Sequence, residues 1–103
     1  MKLLITSLFL LCTVAVAQAD PFAGGHPATG KKLFDQFNCN RCHDAKMGGD
    51  GNRIFTRFNR IVNNPQELVA RLHVCGNAAG VDMTHQREQD IAAYLNKNFY
   101  HFK

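Results

Sequence analysis

Period-two alternation of apolar and polar side chains is missing over any useful length of the 103 residues. That absence excludes a sheet and leaves helices to build the core. Internal repeats and low-complexity segments are also lacking, so neither a solenoid nor a disordered tract is expected. No apolar run reaches the roughly 20 residues that a bilayer core demands. The longest, Leu3 to Ala17, is too short to span. Eight Asp and Glu against twelve Lys and Arg give a net charge of +4, too slight an excess for a nucleic-acid binder. No acid, base and nucleophile are grouped anywhere, and no enzymatic activity is expected.

What the first residues do contain is an export signal. Lys2 supplies the positive start, Leu3 to Ala17 the apolar run, and Ala17-Gln18-Ala19 the small-x-small cleavage site, which predicts cleavage before Asp20. Cys12 follows Phe9-Leu10-Leu11, without the small residues of a lipoprotein site, so lipidation is not expected. Residues 1–19 read as a secretory signal peptide and residues 20–103 as one small domain, exported to a periplasm or an equivalent compartment. Lys2 is the one charged residue that leaves with the signal, so the net +4 becomes +3. A domain of this size has a marginal apolar core of its own, which a covalently held cofactor would remedy.

Three cysteines survive cleavage: Cys39, Cys42 and Cys75. An exported chain with an odd number must leave one thiol unpaired, pair it with another chain or use it chemically. Cys39-Asn40-Arg41-Cys42-His43 is the C-x-x-C-H spacing of a c-type haem site. The two sulfurs bond the vinyl groups, and the adjacent imidazole reaches the iron as proximal ligand. A thioredoxin-like disulfide wants a βαβ pattern around its C-x-x-C, and none is present. A structural zinc site built from Cys39, Cys42, Cys75 and either His43 or His73 is the remote alternative.

The helices follow from apolar spacing and caps. Asp20 to Pro27 reads as a loose leader. A first helix from about Ala28 carries Leu33, Phe34 and Phe37 on one side and delivers the chain to Cys39. Gly48, Gly49 and Gly51 mark a loop beyond His43. "NRIFTRFNRIVNN" places Ile54, Phe55, Phe58, Ile61 and Val62 at helical spacing, with Arg53, Arg57 and Arg60 on another face, and predicts a helix there. Asn64-Pro65-Gln66-Glu67 is an N-cap with a capping box; its helix carries Leu68, Val69 and Leu72 and is expected to stop near Gly76. Thr84 caps a last helix that buries Ile91, Tyr94 and Leu95. The fold class is therefore all-α: a small helical domain, expected to carry one haem c at Cys39 and Cys42.

"GKKLFDQFNCNRCH" resembles the first helix and attachment site of class I monohaem cytochromes c, and "DIAAYLNKNF" resembles their last helix. In that family a glycine matching Gly30 lets the two helices cross closely, under an aromatic matching Tyr94. The family places a Met as sixth ligand on a loop before the last helix. Here Met47 is badly placed, being four residues past His43, and Met83 adjoins the Thr84 cap, where an apolar residue packs as a staple. The family's Met position falls close to Cys75, between His73 and Asn77. Cys75 is then the expected distal metal ligand opposite His43, with Met83, His73, Asn77 or an open position as alternatives. The chain also resembles the small heterodimeric His/Cys-ligated haem proteins of anaerobic ammonium-oxidising bacteria. "RFNRIV" followed by "LHVCGNAAG" is similar to haem proteins with a displaceable Asn ligand.

His/Cys ligation implies a low potential, because a thiolate stabilises ferric iron. One-electron transfer with a redox partner protein is the expected function, and binding or sensing of NO or CO, with a displaced distal ligand, is the alternative. A hetero- or homodimer with another small cytochrome is implied by the resemblance alone. Phe34, Phe55, Phe58 and Leu72 are the expected walls of the haem pocket. Arg53 is the expected propionate contact, and Arg57 and Arg60 either join it or form a face for an acidic partner. His26, His85 and His101 are expected at the surface.

Overall fold

The computed structural model describes residues 20–103, and the signal-peptide reading, Cys12 included, lies outside the described residues. Those residues form helices and turns with no strand: α1 Pro27–Gln36, α2 Asn40–Lys46, α3 Arg53–Thr56, α4 Pro65–Ala79 and α5 His85–Leu95, followed by a π-helical turn, Asn96–Tyr100. No described helix is long and apolar enough to cross a membrane.

Packing of α1 against α5 dominates the architecture. Gly30 is the point of closest approach: a Cβ there would run into the backbone carbonyl of Asp90. Phe34, one turn on, meets Tyr94 with ring centroids 5.5 Å apart. Ile91, Leu95 and Leu68 are fully enclosed beneath them. The leader is not loose as expected. Phe22 is buried, the His26 amide donates to Asp90 Oδ1 at 2.8 Å, and Gln86 Nε2 donates to both Gly24 O and the same Asp90 oxygen. A buried carboxylate on α5 thus holds the segment in place, satisfying its own lone pairs in doing so.

Local chemistry sets the helix ends. After α1, Asn38 takes a positive φ of 51°, the Asn38 amide donates to Asp35 O and the Cys39 amide to Phe34 O. This left-handed cap turns the chain straight into α2. Asn64 Oδ1 accepts from the Glu67 amide at 2.8 Å, and Glu67 Oε2 accepts from the Asn63 amide at 2.9 Å. The carboxylate therefore reaches one residue before the cap. Helix α4 does not stop near Gly76 but runs to Ala79, where Gly80 at φ 70° closes it and the Val81 amide reaches Gly76 O at 2.9 Å. Gly76 serves packing instead: a Cβ would stand 3.2 Å from Met83 Cε, so the returning chain lies on it. Met83 is thus seated against α4, and the fourth position of α5, Glu88, offers no apolar partner for a staple.

The helix expected through residues 53–62 is a single turn. Asn52 stands at its N-cap, but its side-chain oxygen accepts from Asn40 and caps nothing. A turn without a cap is marginal, and Arg57 leaves it in an extended conformation, ψ 151°. Arg60 Nη1 reaches back to Phe55 O at 3.4 Å, and its guanidinium lies 5.3 Å from the Tyr100 ring centroid. Val62 returns to the core while Phe58 points away from it.

Candidate functional site

Helix α2, the turn α3 with its extended continuation, and helix α4 enclose a cavity of about 410 Å³. Cys39, Cys42 and His43 line it from α2 and its N-cap, and Cys75 lines it from α4. Cys39 and Cys42 are three residues apart at a helical start, a separation that puts both side chains on one face. None of the three thiols is joined to another. Burial pushes the Cys39 thiol up to about 11, with the charge of Cys75 adding to it.

His43 is half-buried between Phe55, whose ring meets it edge-on at 5.4 Å, and Asn40, whose Oδ1 lies 3.2 Å from Nδ1. Burial first, and Lys46 second, hold its imidazole below the usual 6.5. Asn40 donates through Nδ2 to Asn52 Oδ1 at 2.7 Å, and the Gly51 amide donates to Asp44 Oδ1 at 2.6 Å. The loop after α2 is thereby folded back onto it. Sequence reading missed Asn40, although a residue three before a helical histidine shares its face.

Phe34, Phe55 and Leu72 line the cavity. Phe58 does not: its exposure is 105%, because the chain leaves the helix at Arg57 before reaching it. Arg53 is exposed outside the lining, and the guanidinium side chains that reach the cavity are Arg57, Arg60 and Arg71. Arg57 Nε is buried without an acceptor. Ile61 and Val74, 55% and 56% exposed, form an apolar part of the lining open to solvent.

Among the alternatives for a distal ligand, Cys75 and Met83 line the cavity, whereas His73 and Asn77 do not. His73 Nε2 lies 2.6 Å from Glu88 Oε2, a buried oxygen with no well-angled donor. His26, His85 and His101 are exposed as expected. Among the described residues no three His, Cys, Asp or Glu side chains converge as a metal-holding group, so the zinc ligand set is not assembled. Set against protein-family models, curated proteins and solved structures, the chain finds no match in any of the three.

Proposed function

We propose that residues 20–103 form an exported monohaem protein of the c type that carries single electrons to or from a partner protein. The observation that carries this reading is that Cys39, Cys42, His43 and Cys75 all line one mainly apolar cavity. Its volume falls in the roughly 300–1,000 Å³ range of small-molecule and cofactor sites. Cys39 and Cys42 would hold the vinyl edge, His43 would offer an imidazole nitrogen from α2, and Cys75 would offer a thiol from α4. Phe34, Phe55 and Leu72 would keep water from the apolar faces of the ring. The orphaned Arg57 Nε would fit a carboxylate acceptor, and Arg57 would then take the propionate contact expected of Arg53. Bound haem supplies a one-electron couple, which a thiolate ligand lowers relative to a thioether.

The test is the protein expressed with its export signal in a host that matures c-type cytochromes. A mass one haem above the polypeptide and a Soret band that survives denaturation are expected. A colourless product of bare polypeptide mass overturns the reading, and with a bound zinc ion it establishes the structural alternative. One observation favours gas binding as a second reading: Cys75 is exposed, so as a ligand it would be open to displacement by a small molecule. Uptake of CO or NO by the dithionite-reduced protein is then expected, and a reduced form inert to both leaves electron transfer alone.

A further inference from the structure

The proximal histidine of the proposed haem site has its own orienting device, built from two asparagines. An imidazole can face a metal only through the nitrogen that carries no proton, and the hydrogen bond at the other nitrogen decides which one that is. His43 Nδ1 lies 3.2 Å from Asn40 Oδ1, an amide oxygen that can only accept. The same amide turns its nitrogen to Asn52 Oδ1 at 2.7 Å, which fixes its oxygen toward the imidazole. Asn52 is held in turn because the loop before it is fastened: Gly51 donates to Asp44, and a Cβ at Gly51 would stand 2.6 Å from Asp44 Oδ1 and 2.8 Å from Asn40 Oδ1. Four residues of α2 and its following loop are thus packed around one polar contact to the imidazole.

We infer that Asn40 and Asn52 are positioning residues that keep the proton of His43 on Nδ1 and set the donor strength of Nε2 toward haem iron. This rests on the haem reading, and goes beyond it by making the Asn40 oxygen a determinant of the reduction potential. A stronger acceptor at Nδ1 makes the imidazole a better donor and favours ferric iron; loss of the acceptor does the reverse. The attachment motif therefore encodes more than its two sulfurs and one ring: its first intervening residue tunes that ring.

The decisive experiment compares haem-loaded wild type with Asn40→Asp, Asn40→Leu and Asn52→Ala by spectroelectrochemical titration. Asn40→Asp is expected to move the ferric to ferrous ratio at fixed applied potential about tenfold toward ferric, which is about 59 mV for a one-electron couple. Asn40→Leu is expected to move it toward ferrous, and Asn52→Ala in the same direction by less. A residue of merely structural importance would shift both Asn40 variants in one direction, and that result, or no shift in either, overturns the inference. Should the Asn40 variants fail to attach haem, Asn52→Ala, which lies outside the attachment segment, decides alone; an unchanged potential overturns it. Nitrogen-edited NMR of the haem-free protein gives a readout independent of the parent reading. A dominant Nδ1–H tautomer of His43, lost in Asn40→Leu, is expected, whereas a dominant Nε2–H tautomer in wild type sinks the inference even if haem binds. Wild-type protein that takes up no haem yet shows Nδ1–H removes the haem reading and leaves the asparagine pair as the tautomer's determinant.

Discussion

Cys75 is the residue on which the electronic character of the proposed centre turns. It sits on α4 within the cavity lining, one position before the buried Gly76, and is exposed. A thiolate at iron stabilises the ferric state. Cys75→Ala and Cys75→Met are therefore expected to leave haem attachment intact, shift the ferric absorption spectrum and raise the reduction potential; an unaltered spectrum in both eliminates Cys75 as ligand. Gly30 is the corresponding residue for the scaffold. Because a Cβ would collide with the Asp90 carbonyl, which cannot swing aside as a side chain can, Gly30→Ala must push α1 and α5 apart. Overpacking of this kind costs about 1–3 kcal/mol, and urea unfolding of Gly30→Ala against wild type measures it. At this scale the sequence was most readable at Gly30, where the absence of a side chain marks the close approach of α1 to the α5 backbone. Asn40 was missed because asparagine serves caps, turns and surfaces alike, and its amide is held by Asn52, twelve residues away.

Elements were readable where capping chemistry fixes an end and unreadable where tertiary contacts compete for the cap. Asn64 and Thr84 both cap as expected, accepting from the Glu67 and Arg87 amides. Two glycines, Gly76 within α4 and Gly80 just beyond it, could each have ended the helix. What separates them is the chain returning through Met83, which needs the space at Gly76 and leaves Gly80 to take the positive φ. The stretch 53–62 shows the same competition with the opposite outcome. Its apolar spacing suits a helix, yet Asn52 spends its side chain on Asn40 and the helix ends after one turn. Phe58 consequently contributes no buried area. Its replacement by Ser is expected to alter stability by no more than about 0.5 kcal/mol, the usual range for surface changes, where a core phenylalanine would cost several. A loss above about 2 kcal/mol in urea unfolding of Phe58→Ser would restore this residue to the core.

On the scale of the whole molecule, the C-terminal end closes the fold around the cavity and gives its stability an alkaline limit. Asn96, buried, accepts from the Phe102 amide at 2.6 Å and donates to the Phe102 carbonyl at 3.1 Å, which folds the last residues back. Tyr100 is thereby held against Phe55, stacks on Phe102 at 5.1 Å and lies under Arg60. Burial pushes its phenol from 10.0 up to about 12, even with Arg60 opposing. A proton held more tightly by the folded chain than by the unfolded one gives stability that is complete below the unfolded value and fades as pH rises through the folded one. Tyr100 therefore contributes a fall in stability between about pH 10 and pH 12. In the haem-free chain the Cys39 thiol, raised by burial from 9.0 to about 11, contributes an earlier fall of the same sign. Urea unfolding of haem-free protein over this range separates the two. Tyr100→Phe is expected to keep the earlier part of the decline and flatten the later part, and Cys39→Ala to do the converse. Equal slopes in wild type and Tyr100→Phe above pH 10 would mean that the phenol is solvated in the folded protein and that the C-terminal segment does not close over the cavity.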